Sequence, residues 1–516
     1  MQNTNSVGYR KEEMQGKHDS DTRIFYTLNM DELIPKDHLL RRIDKVMSFE
    51  WVREETKPLY SHTGRPSIDP VVLIKMLLIG YLYDVRSERR LVEEVSLNLA
   101  YRWYLGFDLE DRVPNHSIFS KARKRFGKDL FVTIFDRVLS ACIEVGLTGT
   151  GDEVIIDSPL VKANASLDSL VTIDLRPGEY WDSLDSYTDD EDGDTDDKDE
   201  VDRHKDDIHK DGHGAKTDSQ EIVSAVADTD DVDLSGLATM GRSKKDKKPT
   251  SIKLSTTDPD ASLHYRSGIG LTLSYKAHLA ATPTGIVTAT AVSASSEHDT
   301  TRLVELLDKH QAALGRPDSI AADSHYGSQQ AYGFLQGLGI ETYILPMKPQ
   351  IKDGLFNKEL FTYDQDNDHF TCPVGKTLKR KHKDHKKNLV LYKADRTDCS
   401  GCAKRDSCID QKTRARSVQR YDSDFIEKAR FWLDTDKGKE MMVKRKTVIE
   451  GINGQIKTYH GMDEANGRGT LSLEIQLALT TTAVNLKKLA KAIPDYLNRW
   501  LSNLRYSFFK SQLAVS

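Results

Sequence analysis

Gly268-Ile-Gly-Leu-Thr-Leu-Ser-Tyr-Lys-Ala-His-Leu-Ala-Ala281, followed by Gly285-Ile-Val-Thr-Ala-Thr-Ala-Val292, decides the fold. The first stretch alternates as a half-buried strand does, Thr282-Pro-Thr-Gly285 is a turn, and the second is a β-branched strand. Downstream the period changes. Thr300 to Ala313 reads as an amphipathic helix, Ser319-Ile-Ala-Ala-Asp323 as a strand, Ser328 to Leu338 as a helix and Glu341-Thr-Tyr-Ile-Leu345 as a strand. Upstream, Glu153-Val-Ile-Ile-Asp157 is one more apolar strand. The order is strand, long insertion, two strands, then helix and strand twice. It predicts an α/β domain with a mixed sheet flanked by helices. With the insertion removed, this is the strand order of a ribonuclease-H-like fold.

Working outward, residues 21–148 read as an all-α region. Ser67-Ile-Asp69-Pro70 starts a helix, and Val71 to Tyr83 is apolar enough to be buried throughout. Ser87 to Ser96 is amphipathic. Pro114-Asn115-His116-Ser117 punctuates the chain before a short basic helix, Ser117 to Gly127, which carries Lys121, Arg123, Lys124 and Arg125. A basic helix after a turn suits the major groove of DNA; a bundle helix with a charged outer face is the plainer alternative. Phe131 to Val145 is the next helix.

The remaining boundaries follow composition. Residues 1–20 are a polar tail, 149–177 and 251–350 the α/β core, and 178–250 an acidic low-complexity insertion unable to bury a core. Its His204, His209 and His213 sit among aspartates, but a mobile loop organises metal ligands poorly. Residues 351–425 form a basic, cysteine-bearing insertion and 426–516 a helical C-terminal part. The chain has 516 residues and a net charge of −6, yet that charge is unevenly spread. Residues 182–212 hold 15 Asp+Glu against 4 Lys+Arg, whereas residues 374–420 hold 15 Lys+Arg against 5 Asp+Glu. The second region is where a polyanion could be held. No apolar run approaches a membrane span, and the start lacks the order of a signal peptide.

Of the five cysteines, four cluster: Cys372-Pro-Val-Gly375, Cys399-Ser-Gly-Cys402 and Cys408. In a reducing cytoplasm this spacing fits one tetrahedral Zn²⁺ better than disulfides, reduced unliganded thiols being the alternative. Cys142 is most simply a core residue.

Two carboxylates stand at the ends of apolar strands, Asp157 and Asp323, where sites form in α/β sheets. A third, Glu450, lies on the helical stretch Lys444-Arg-Lys-Thr-Val-Ile-Glu450-Gly-Ile-Asn-Gly-Gln-Ile-Lys457, with Lys446 and Lys457 on the same face. Three carboxylates brought together would make a hard oxygen site for Mg²⁺ or Mn²⁺, able to support phosphodiester cleavage. Each residue alone also has a plain structural reading: a turn former for the aspartates, an ion-paired surface residue for the glutamate.

At this point the chain resembles the bacterial insertion-sequence transposases with a DDE catalytic domain. The group it is most similar to has a helical N-terminal transposase domain and a cysteine-bearing insertion. The match runs through Gly64-Arg65-Pro66-Ser-Ile-Asp-Pro70, Asn115-His116-Ser117, Asp157, Asp323-Ser-His-Tyr326-Gly-Ser328, Glu450, Lys457-Thr-Tyr-His-Gly461, Arg468-Gly469 and Asn485-Leu-Lys-Lys488. Where that group has Tyr-x2-Arg-x3-Glu-x6-Lys, this chain has Val443, Lys446, Glu450 and Lys457.

The resemblance implies that Asp157, Asp323 and Glu450 hold two Mg²⁺ and that Lys457 contacts phosphate. It also implies that the N-terminal helices read terminal inverted repeats of double-stranded DNA, and that the protein assembles as a homo-oligomer on two ends. Water would cut the end, and the freed 3′-hydroxyl would then attack target DNA. A DNA-binding relic without catalysis and a general nuclease on the same fold are the rival expectations.

Overall fold

The computed structural model describes residues 29–61, 63, 67–175, 250–266, 268–347, 355–384, 388–421 and 423–513. The 1–20 tail, Gly64-Arg65-Pro66 and residues 178–249 of the acidic insertion lie outside the described residues.

Seven helices come first: α1 (Met30–Leu33), α2 (Leu39–Val46), α3 (Trp51–Thr56), α4 (Pro70–Leu82), α5 (Glu88–Leu97), α6 (Leu99–Leu105) and α7 (Ser117–Glu144). α4 starts where its sequence says: the Asp69 side chain accepts from Val71 N–H and Pro70 takes the first position, where its missing N–H costs nothing. Ten of its thirteen residues are buried. α7 is broken at Gly127, whose φ of 64° only glycine adopts readily. That break separates the basic half from the half that packs on the sheet, as the two periodic stretches predict.

The main sheet contains β1 (Glu153–Asp157), β2 (Leu160–Lys162), β5 (Ser262–Arg266), β6 (Gly270–Ala281), β7 (Val287–Ala294), β8 (Ser319–Ala322) and β9 (Glu341–Ile344). Its central run is β7–β6–β1–β8–β9. β7, β6 and β1 pair antiparallel, whereas β8 and β9 join in parallel through α8 (Leu303–Leu314) and α9 (Gln329–Gly337). The anticipated strands and helices are all present. Not anticipated were β2, β5, and the ribbon of β3 (Leu170–Leu175) with β4 (Thr250–Ser255). Leu175 pairs with Thr250 at the end of this ribbon. Short half-exposed strands beside an insertion carry too little periodicity to be read.

The cysteine-bearing region is also more ordered than its composition suggests. β10 (Thr362–Asp364), β11 (His369–Thr371), β12 (Thr377–Asp384), β13 (Leu389–Ala394) and β14 (Ser417–Tyr421) form an antiparallel meander around Phe361, Phe370, Leu378, Val390 and Tyr392. Two short helices, α10 (Arg396–Ser400) and α11 (Arg405–Cys408), carry Cys399 and Cys408, with Cys402 between them.

Three helices close the chain: α12 (Phe425–Asp434), α13 (Asp436–Tyr459) and α14 (Thr470–Leu513). Successive residues of β1 face opposite ways. Val154 and Ile156 enter the core under α8 and α9, while Ile155 enters the core shared with Ile449, Ile452 and Ile456 of α13. α14 serves two cores at once. Ile475, Leu479, Leu486 and Ala490 join the N-terminal helices, and Leu473, Leu477, Val484 and Leu489 join the sheet. Asn485 binds the β7 edge as a strand would: Val287 N–H donates to its Oδ1 at 3.0 Å and its Nδ2 donates to Val287 O at 2.8 Å. No helix among the described residues is long and apolar enough to cross a membrane.

Candidate active site

Register brings the first two carboxylates together. β1 and β8 run parallel with Ile156 opposite Ala322, so the next residue on each is Asp157 and Asp323. By strand alternation Asp157 shares the face of Ile155 and Asp323 that of its register partner Ala321, one face of the sheet, which α13 covers. Arg445 of α13 reaches between them, its Nη2 at 3.4 Å from Asp157 Oδ1 and 3.8 Å from Asp323 Oδ1. Asn453, two turns along the same helix, donates to Asp157 Oδ2 at 2.7 Å.

The two acids are electrostatically unlike. Burial pushes the Asp157 carboxyl above its ordinary range, against the pull of Arg445 and Asn453. Burial also raises Asp323, but the Ser324 N–H at 2.6 Å and the His325 ring outweigh it and hold the group below that range.

Behind the pair lies a buried polar network that the sequence does not announce. Tyr326, three residues after Asp323, meets His278 Nδ1 at 2.8 Å, and His278 Nε2 meets Ser293 Oγ at 2.8 Å. Ser158, next to Asp157, donates to Asp299 Oδ2 at 2.9 Å, and Asp299 pairs with Lys276 at 2.6 Å. Burial pushes His278 down to about 4, so it is neutral at pH 7. Each carboxylate loop is thereby anchored through a neighbour of the carboxylate. Lone polar residues on apolar strands, His278 above all, were the available signal.

Glu450 is exposed on α13, one turn before Asn453, and no hydrogen bond or ion pair joins it to either aspartate among the described residues. The structure therefore pairs two of the three anticipated carboxylates and sets Arg445 and Asn453 beside them. No group of three or more His, Cys, Asp or Glu side chains among the described residues is arranged to hold a metal ion. Even so, two carboxylates already converge on one cationic group, and their hard oxygen donors suit Mg²⁺ or Mn²⁺.

The basic residues divide. Lys121, Lys124 and Lys446 are exposed, and Lys457 is half-buried, its amine pulled down by burial. Arg123 is held by Glu88, and Arg125 stacks over Tyr60 at 4.7 Å. Charge patterning cannot show that Arg123 and Arg125 already have protein partners. Cys372, Cys399, Cys402 and Cys408 line one small cavity of about 30 Å³, and Lys376 N–H donates to Cys372 Sγ at 3.3 Å. Cys142 is buried in the core, as anticipated.

Two family models match the chain. One, described as a transposase domain, matches residues 28–125, the N-terminal helices. The other, described as a transposase DDE domain, matches residues 371–490, from the cysteine-bearing sheet through α13 and most of the described side chains of α14. No curated protein and no solved structure matches. Together the two family matches support an insertion-sequence DDE transposase.

Proposed function

We propose that the protein binds the terminal repeats of its own element in double-stranded DNA, cuts at the element's end and joins the freed 3′-hydroxyl to target DNA. The observation that carries this reading is the convergence of Asp157 and Asp323 at the ends of paired parallel strands, under a helix bearing Arg445, Lys446 and Glu450. The strand run β7–β6–β1–β8–β9, with its antiparallel half and parallel half, supports a ribonuclease-H-like core.

In this reading Asp157 and Asp323 hold the divalent ions, and Glu450, one turn from the Asn453 contact, completes the donor set. Bound Mg²⁺ or Mn²⁺ would supply Lewis acidity to the phosphodiester and a more acidic water. The protein's own part is positioning. Asn453 orients Asp157, the Ser324 N–H favours the ionised form of Asp323, and Arg445 balances the two charges. Lys446 and Lys457 flank Glu450 and meet phosphates on either side of the scissile bond. Lys121 and Lys124, with Arg123 and Arg125, offer the N-terminal contacts to DNA.

The four thiols share one cavity without being arranged as a metal site, and one structural Zn²⁺ drawing them together would brace the basic sheet. Protein purified without chelator should carry about one zinc per chain; its absence by metal analysis, with four thiols still titratable, would remove that part.

The central test is end cleavage of a duplex carrying the element's terminus, in Mg²⁺ and in Mn²⁺, with Asp323→Asn alongside. Ion-dependent nicking at the terminus, reduced more than about a hundredfold in the variant, is expected. Binding without nicking would mark a relic that only occupies its ends. Nicking without regard to the terminus would mark a general nuclease.

A further inference from the structure

Away from the carboxylates, the N-terminal helices and the C-terminal part enclose a cleft of about 680 Å³. Arg86, Arg89, Arg123 and Lys124 line one wall and Arg468 the other, with Glu88 the acid among the lining residues. α5, α7 and α14 all begin at this cleft. Arg123 is held by Glu88, and Arg86 pairs with Asp84 at 3.0 Å and Asp463 at 2.7 Å. Arg89 and Arg468 are exposed and form no salt bridge among the described residues, although Arg468 lies near enough to Asp258 to favour its ionised form. Arg89 Nε donates to the His116 ring at 3.4 Å. Two exposed guanidiniums on the lining of one cleft, neither held in a salt bridge among the described residues, can both turn to an anion lying in it.

The cleft is joined to the carboxylate pair by one turn, residues 461–466. Lys162 N–H, on the strand that follows Asp157, donates to Asp463 O at 3.1 Å, and Ala465 N–H donates back to Lys162 O at 2.8 Å. Asp463 in turn pairs with Arg86 at the cleft, and the Lys457 amine feels both Asp463 and Asp157. A polyanion lying in the cleft would continue along Lys457 toward the reacting centre.

We infer that this cleft is a phosphate cradle for duplex DNA, in which Arg89 and Arg468 grip the backbone from opposite sides and so fix how the N-terminal helices and the catalytic sheet address one duplex. The inference rests on the DNA-transposase reading. Because phosphate contacts position a duplex without reading its bases, the cradle should act on any sequence.

The test is the salt dependence of binding to a 30-base-pair duplex, terminal or random in sequence, by the full chain and by Arg89→Ala with Arg468→Ala. Losing two phosphate contacts should make the slope of log K against log salt shallower by about 1.8. At low salt the affinity should fall at least about tenfold, on both duplexes alike. A charge-matched control, Lys57→Ala with Lys428→Ala, should leave the slope unchanged, and thermal melting checks that each variant folds. An unchanged slope in the cleft variant, with Lys121→Ala still weakening binding, overturns the cradle and leaves the DNA reading standing. An effect confined to the terminal duplex overturns it too, since that would be base reading. If the wild-type chain binds neither duplex, the functional reading itself has failed.

Discussion

Asp157 and Asp323 end neighbouring strands of one sheet, yet they are held in opposite ways. Asp323 has a local solution: its own loop supplies the Ser324 N–H and the His325 ring, and its side chain is 42% exposed. Asp157 is 19% exposed and depends on Arg445 and Asn453, which approach from a helix almost 300 residues later. One acid is secured by its neighbours in sequence and the other by its neighbours in space. A carboxylate of the second kind can be tuned only after the whole domain has closed around it.

Removing the group common to both should break the contrast most strongly. Arg445→Gln leaves two adjacent carboxylates without their shared cation. Breaking a fully buried pair costs more, but Asp323 is half in solvent, so a loss of about 2 kcal/mol is expected in chemical denaturation without divalent ions. With the cation gone, Mn²⁺ should bind more tightly, by roughly fivefold, about 1 kcal/mol. Weaker Mn²⁺ binding in this variant would show that Arg445 supports the ion site instead of standing in for its charge.

A smaller effect sharpens the contrast by sign. A carboxyl raised in the folded state favours folding at low pH and loses that contribution as pH rises through its folded value, which is the case for Asp157. A carboxyl lowered in the folded state contributes at neutral pH and loses its contribution as pH falls, which is the case for Asp323. At pH 7, without divalent ions, Asp157→Asn should therefore raise Tm and Asp323→Asn should lower it, each by roughly 1–2 °C. Shifts of the same sign in both variants would contradict the asymmetry.

The same division explains what the sequence disclosed. The α/β alternation, the cap at Asp69, the break at Gly127 and the strand-end placement of both aspartates depend on neighbours within a few residues, and all are legible. Arg445, Asn453 and the His278–Tyr326 contact depend on register between distant segments: a lone histidine on an apolar strand marks His278, but nothing local marks what it meets. Glu450 was set beside the aspartates by the family resemblance; helical spacing places it with Lys446 and Lys457 on one face but does not set how that helix is rotated against the sheet. The meander around Phe370 and Tyr392 escaped notice because lysine-rich strands with one buried face look like solvated loop by composition.

α14 gives these observations a wider consequence. Its Ile475, Leu479 and Leu486 complete the core of the N-terminal helices, while its Leu473, Leu477 and Val484 complete that of the sheet. The part that would find DNA and the part that would cut it are therefore not separable modules. An N-terminal fragment ending before residue 470 would expose the apolar faces of α2, α4 and α7 and could not act as a free-standing competitor for DNA. Loss of the last helix by truncation would silence recognition and catalysis together.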